Sequence, residues 1–201
     1  MQMPDKFFKW AFEGRAKLVE SMRGGNINPD KMFIEFTRHT PVMITNGPAG
    51  LNGSVKGFGF APVEEYLDEC IEALEEHTKS GDTGYESRGI GLLLDIFYSP
   101  DVWNRVDKER LFSLELAKKH TWENITEGST ETTLVYYQPP AVSFELRGKI
   151  DVAVSGKYFK FVNLMHDAYH KQKQPTSKPT YIFSIEEVFD NSVGVFGQKL
   201  L

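Results

Sequence analysis

The sequence predicts an α+β fold in which antiparallel β-strands are flanked by helices. Residues 132–137 and 141–154 are rich in β-branched and aromatic side chains, and apolar and polar residues alternate along the second run. Such alternation is typical of antiparallel strands with one face in water. Apolar residues recur every three or four positions in residues 5–22 and 63–79, which indicates amphipathic helices.

Length and composition favour one domain. The 201 residues are 40% hydrophobic and 25% charged, which provides enough apolar surface to offset the entropy of ordering the chain. The formal net charge of −5 leaves no basic excess for a phosphate backbone, so nucleic acid is not expected as a partner. A single cysteine, Cys70, cannot form an intrachain disulfide, and no apolar run approaches the roughly 18 residues of a membrane span. We therefore expect a single cytoplasmic domain over residues 1–201, without membrane contact.

The first 60 residues are expected to combine a helix with a β-hairpin. The helix covers residues 5–22 and stops at the glycine pair that follows. Residues 42–45 and 54–60 predict the two strands, and residues 46–53 between them hold three Gly, one Pro and two Asn, a composition typical of a long turn. Residues 32–36 fit either a strand or a helix.

The middle of the chain is expected to be mainly helical. Residues 63–79 predict an acidic amphipathic helix, whereas the apolar run 90–98 predicts a buried strand. The apolar spacing from residue 107 onward predicts a helix over 107–123. Lys118 and Lys119 then lie near its C-terminal end, where cations suit the helix dipole.

The last third continues beyond the two strands described above. Apolar residues at helical spacing predict a helix over 158–170, and a Lys- and Pro-rich tract follows as a loop. Residues 181–185 predict a final strand.

A pair of histidines is the sharpest local pattern. His166 and His170 are four residues apart, so both side chains project from one face of the predicted helix and could share a divalent ion. Asp167 stands where the His-Glu-x-x-His pattern of metalloproteases has its general base, but Asp is one methylene shorter than Glu. An ordinary surface pair is the more frequent origin of this spacing.

Several cations could converge on an anion. A phosphate needs two or three converging donors, whereas any one of these residues by itself is an ordinary solvated charge. The candidates lie on predicted strands and at a helix end: Lys56, Lys118, Lys119, Arg147 and Lys149.

Four segments carry a family resemblance. Residues 41–55 are similar to an opening hairpin with a Gly-containing turn, and residues 116–125 are similar to a Ser-Arg-Lys-x-x-x-Leu segment that precedes a strand. Residues 141–150 resemble a strand that leads into a short helix, and residues 181–190 resemble a closing strand. In this order they resemble the FMN-binding split-barrel family that includes pyridoxamine 5′-phosphate oxidase.

This resemblance implies an antiparallel split β-barrel with flanking helices, in which residues 63–126 form a helical insertion. It also implies bound FMN, a homodimer and oxidoreductase activity on a small-molecule substrate that the sequence does not identify. In such a protein the cofactor carries the redox chemistry, so no acid–base triad is required. Lys118 and Lys119 would hold the FMN phosphate. The implied cofactor-binding set is Thr45, Asn46, Ser54, Lys118, Lys119, Thr121, Trp122 and Arg147.

Two other functions stay open at this stage. The first is a metal-dependent enzyme that uses His166 and His170. The second is a non-catalytic domain that binds a ligand or partner, for which the acidic helix over residues 64–76 or the aromatic strands are the candidate surfaces.

Overall fold

The computed structural model describes residues 2–25 and 28–201, apart from the side chains of residues 29 and 30. The predicted first helix is confirmed and is divided into α1, a π-helical turn (Lys9–Glu13) and α2. Residues 32–36, which fitted two interpretations, are helical. The α-helices are α1 (Asp5–Phe8), α2 (Gly14–Arg23), α3 (Pro29–Phe36), α4 (Glu64–Thr78), α5 (Tyr85–Leu93), α6 (His120–Glu127) and α7 (Lys157–Tyr169).

The strands form one antiparallel sheet in the order β2-β1-β4-β5-β6-β3, and β7 also pairs with β6. The strands predicted over residues 42–45, 132–137 and 141–154 are confirmed. Residues 181–190 belong to a single long strand. The strands are β1 (Val42–Thr45), β2 (Asn52–Val55), β3 (Arg110–Leu114), β4 (Glu131–Gln138), β5 (Val142–Ala153), β6 (Thr180–Asp190) and β7 (Gln198–Lys199).

The chain that leaves β2 reaches the opposite edge of the sheet. The second strand of the hairpin was expected over residues 54–60, but β2 covers only Asn52–Val55. Beyond it, Gly59 and Phe112 of β3 exchange two backbone hydrogen bonds, each 2.8 Å long. A backbone bridge therefore joins the segment after β2 to β3, the last strand in the sheet order.

Aromatic side chains fill the space between the N-terminal helices and the sheet. Phe7 makes edge-to-face contacts with Tyr136 of β4 and Phe144 of β5, with ring centroids 5.3 Å apart in both pairs. Phe12 and Phe60 pack at 5.1 Å. Such contacts add to the burial of large apolar areas, so they hold the helical layer against the sheet.

The prediction of a buried strand over residues 90–98 is wrong. These residues form the end of α5 and a π-helical turn (Leu94–Tyr98). Leu93, Leu94 and Phe97 are all less than 3% exposed, because the segment is covered by other helices. A nearly continuous apolar run of nine residues is too short for its periodicity to separate a strand from a helix.

The prediction of a helix over residues 107–123 is also wrong. Residues 110–114 form β3, which pairs with β6, and the helix α6 begins only at His120. Lys118 and Lys119 consequently precede the N-terminus of a helix instead of lying near a C-terminus. The insertion expected over residues 63–126 therefore contains a strand of the main sheet. Its helices before β3 end with a 3₁₀ segment, Pro100–Arg105, and α6 follows β3.

Candidate functional site

A buried carboxylate organises the loop between β3 and α6. Glu115 is 1% exposed and accepts four hydrogen bonds. The Lys56 ammonium donates at 2.6 Å and the Tyr181 hydroxyl at 2.8 Å to Oε2. The backbone N–H groups of Ala117 and Lys118 donate to Oε1, each at 2.7 Å. These bonds fix the course of the chain immediately before α6.

Two opposing effects act on the Glu115 carboxyl. Burial raises its pKa, but the hydrogen bonds from Lys56, from the two backbone amides and from Tyr181 outweigh burial and lower the pKa overall. The group is therefore held as a carboxylate. A buried carboxylate with all its partners in place is a stable anchor for a turn.

The loop presents two lysines at the start of a helix. Lys118 has a positive φ of 49°, a conformation that non-glycine residues rarely adopt, and the hydrogen bond from its N–H to Glu115 helps to hold it there. Lys118 and Lys119 are both exposed. The Lys118 ammonium lies 4.8 Å from the centre of the Trp122 ring. Within the described part of the chain, no side chain caps the N-terminus of α6, so its first-turn N–H groups have no side-chain acceptor there.

Hydroxyl and amide groups tie the β1–β2 hairpin to α6. The Thr121 hydroxyl lies 2.8 Å from the Ser54 hydroxyl and accepts a 2.8 Å hydrogen bond from Asn52. Asn124 donates to the Thr45 hydroxyl at 3.2 Å and to the Gly50 carbonyl at 2.8 Å. Three members of the expected set, Thr45, Ser54 and Thr121, are thus brought together.

The remaining members of the expected set are distributed differently. Asn46 is exposed in the hairpin turn, next to Thr45. Arg147 lies on β5, where its guanidinium pairs with Glu145 and Glu187 and lies 4.7 Å from the Phe189 ring centre. All the described contacts of its side chain are on β5 and β6, so none of them links the guanidinium to α6 or the hairpin.

The histidine pair lies on α7 and at the residue that follows it. The rings of His166 and His170 are 5.4 Å apart, and His166 Nδ1 lies 3.2 Å from both Asp167 Oδ1 and the Thr176 hydroxyl. Asp167 also accepts a hydrogen bond from the Thr176 amide, so it holds the following loop. Among the side chains that the structure describes, no three His, Cys, Asp or Glu residues are grouped so that they could hold a metal ion.

Sequence reasoning missed Glu115 and Asn124. Glu115 is the single acid in a run that is otherwise mainly apolar, residues 111–117, and such an isolated charge indicates a paired buried group. Asn124 gave no comparable signal, because its three bonds to Thr45, Ala49 and Gly50 depend on the folded hairpin.

No family model matches the chain, and no curated protein matches it. Solved structures do. HupZ of Group A Streptococcus is 13% identical with a TM-score of 0.48, and the alignment covers 86% of this chain and 99% of HupZ. An FMN-binding protein from Syntrophomonas wolfei is 10% identical with a TM-score of 0.46, covering 89% and 95%.

A third similar structure comes from Clostridium acetobutylicum. It is a protein related to general stress protein 26 of B. subtilis, of the pyridoxine phosphate oxidase family. It is 10% identical with a TM-score of 0.44, and the alignment covers 85% of this chain and 90% of that one. The descriptions of these structures include the family that the sequence resembles.

None of the helices in the described residues has the length and apolar character needed to cross a membrane.

Proposed function

We propose that this protein is an FMN-binding flavoprotein of the oxidoreductase class. The observation that carries the proposal is the uncapped N-terminus of α6, preceded by exposed Lys118 and Lys119 on a loop anchored by buried Glu115. Helix N-termini bind phosphate through free N–H groups and the positive end of the helix dipole, and lysines add charged donors. The donor set therefore fits the phosphate of FMN.

The residues around the lysines have separate roles in this proposal. Lys118, Lys119 and the first-turn amides bind the phosphate, and Trp122 and Asn46 border the rest of the cofactor. Thr45 and Thr121 are less than 5% exposed, so they act by holding the hairpin against α6. Ser54 is part of the same hydrogen-bonded group. The bound flavin would supply the redox chemistry, and the protein supplies its binding and orientation.

We also propose that the sheet closes as a split barrel. The support is the pair of hydrogen bonds between Gly59 and Phe112, which links the chain after β2 to β3. Closure satisfies backbone groups that an open edge would leave unpaired. The cytoplasmic location stays part of the proposal, since Cys70 is a buried free thiol.

The first test is binding of FMN. Replacing both lysines, Lys118→Ala with Lys119→Ala, is expected to weaken FMN binding by about 1.5 to 3 kcal/mol, because charged hydrogen bonds to the phosphate are lost. The measurement is quenching of flavin fluorescence during titration of the flavin-free protein, together with the visible spectrum of the freshly purified protein.

A matched control removes the same charge elsewhere. Lys173 and Lys178 are exposed on the loop after α7, and replacing both with Ala should leave FMN affinity unchanged. Equal affinity of the wild type and the Lys118/Lys119 variant would reject the phosphate assignment. A colourless wild type that does not bind added FMN would reject the proposed function.

The homodimer is proposed to form through the outer face of β1, β2 and β4. Val42 pairs in register with Val55 on one side and Val135 on the other. Val42 is 39% exposed, Val55 66% and Tyr137, further along β4, 57%. A contiguous exposed apolar face of this kind is typical of a protein–protein contact.

Introducing charge on this face should separate the subunits. Val42→Glu combined with Val55→Glu is expected to weaken self-association by a factor of about 100 or more, because two carboxylates would have to be desolvated in each half of the contact. Light scattering after size-exclusion chromatography should give twice the 22.9 kDa chain mass for the wild type and the single mass for the variant. Val154→Glu, at a site 66% exposed outside the strands, is the control. A monomeric wild type would contradict the proposal.

A further inference from the structure

A cavity of about 360 Å³ lies between α2, α7 and the β3 side of the sheet. Its walls are mainly apolar and include aromatic rings from several elements, among them Phe36, Tyr98, Phe112 and Phe161. The volume is within the roughly 300 to 1,000 Å³ that is usual for small-molecule sites. Flat apolar surfaces of this kind select a ligand with an aromatic or other apolar body.

A guanidinium without a counter-ion lines this cavity. Arg15 of α2 lies 5.3 Å from the ring centre of Phe36 and 5.7 Å from that of Tyr169. The guanidinium interacts with the hydroxyls of Tyr98 and Tyr169, but its buried Nη1 atom has no hydrogen-bond partner in the described residues. Among the side chains that the structure describes, no carboxylate lies within ion-pair distance of it. A buried charge is ordinarily paired, so this one lacks the partner expected for it.

Other polar atoms without partners belong to the same cavity wall. The Ser113 hydroxyl and His39 Nδ1 are buried without a hydrogen-bond partner among the described residues, and both residues line the cavity. Buried polar groups are nearly always satisfied, by the protein or by something bound to it. A free hydroxyl and a guanidinium on the wall of one cavity form a donor set that suits an anionic oxygen pair.

The other arginine of the cavity wall, Arg38, is already paired. Arg38 pairs with Glu35 and donates to the Trp10 carbonyl at 2.7 Å. Burial, followed by the nearby Arg15 charge, lowers the pKa of His39 to about 3, so this ring is neutral at pH 7. His166 contacts Asp167 and Thr176. Of the two arginines in the described cavity wall, Arg15 is thus the one without an ion-pair partner, which suits a monoanion better than a doubly charged phosphate.

We infer that this cavity binds a flat apolar monocarboxylate, with its carboxylate on Arg15 and its apolar body among the aromatic side chains. Guanidinium and carboxylate match as two parallel hydrogen bonds, which gives orientation as well as affinity. The inference does not depend on the proposed flavin function, because neither Lys118 nor Lys119 lines the cavity.

The test compares 2-naphthoate with its neutral counterpart 2-naphthamide, by titration calorimetry on the full chain at pH 7. The wild type is expected to bind naphthoate at least about tenfold more tightly than naphthamide, as a charged hydrogen bond requires. Arg15→Met should remove this preference while leaving naphthamide binding unchanged. Arg23→Met is the control, since Arg23 is on the same helix but its side chain is 51% exposed and paired with Glu20.

Two further variants keep the outcome decisive. Should circular dichroism show that Arg15→Met does not fold, Arg15→Lys keeps the charge without the paired donors and should bind naphthoate several-fold more weakly. The double variant Lys118→Ala/Lys119→Ala should bind naphthoate like the wild type. Naphthoate binding and FMN binding therefore test the two proposals independently. Equal binding of the two probes to the wild type, no binding of either, or an unchanged preference in the Arg15 variant would overturn the inference.

Discussion

Replacing Lys56 with methionine is expected to lower the free energy of unfolding by about 3 to 5 kcal/mol, because it leaves the Glu115 carboxylate buried without its cation. The side chain of Glu115 is fully buried and that of Lys56 is 14% exposed, so water cannot replace the lost partner. Methionine keeps most of the apolar stem, so the effect isolates the charge. The measurement is urea-induced unfolding at pH 7, with linear extrapolation to zero denaturant.

Two comparisons separate this effect from the general loss of a lysine. Lys149 pairs with Glu186 on the surface, where the two side chains are 54% and 52% exposed, respectively. Lys149→Met should therefore change the free energy of unfolding by less than about 1 kcal/mol. Adding Glu115→Gln to Lys56→Met should recover part of the loss, since a neutral amide is less costly to bury. If Lys56→Met costs no more than Lys149→Met, Glu115 is not the anchor described above.

The same pair gives a pH dependence with a definite sign. The folded-state pKa of Glu115 lies below its usual value of 4.5, so its contribution is present above that value and is lost as pH falls through the folded-state pKa. The stability difference between wild type and Lys56→Met should therefore shrink as pH falls from 7 to below 4.5. A difference that grows on acidification would contradict this account.

Replacing Gly148 with alanine is expected to destabilise the fold by about 2 to 4 kcal/mol. Gly148 lies on β5 at the register shift between Arg147 and Gly148 in the pairing with β6. A Cβ atom at Gly148 would lie 2.0 Å from the backbone oxygen of Ser184. Because that oxygen belongs to a paired central strand, the sheet would have to separate locally. Thermal unfolding followed by circular dichroism measures the effect.

A glycine with room around it provides the matched control. Gly53 is also in a strand, and a Cβ atom there would meet only a Val42 methyl group at an ordinary 3.5 Å. Gly53→Ala should therefore leave the melting temperature nearly unchanged. If Gly148→Ala melts at the same temperature as Gly53→Ala, the close approach of β5 and β6 is not a constraint on the fold.

The candidate site was predictable in part. The sequence drew attention to Lys118 and Lys119 as a cation pair, but placed them near the wrong end of a helix. The error arose because apolar residues from 111 to 125 happen to fit helical spacing, while β3 is stabilised by pairing with β6, whose nearest partner is more than 60 residues away. The positive φ of Lys118 depends on Glu115, whose burial requires Lys56 and Tyr181.

The sequence by itself determined the elements with a clear local period. The strands over residues 132–137 and 141–154 and the helix over residues 63–79 alternate or repeat strongly enough that local pattern and final structure agree. Only the tertiary structure decided that residues 90–98 are helical, that Glu115 is a buried anchor and that Arg15 faces a cavity without a counter-ion. The physical reason is that packing between helices, ion pairing and missing partners are properties of contacts between distant segments, and no window of neighbouring residues contains them.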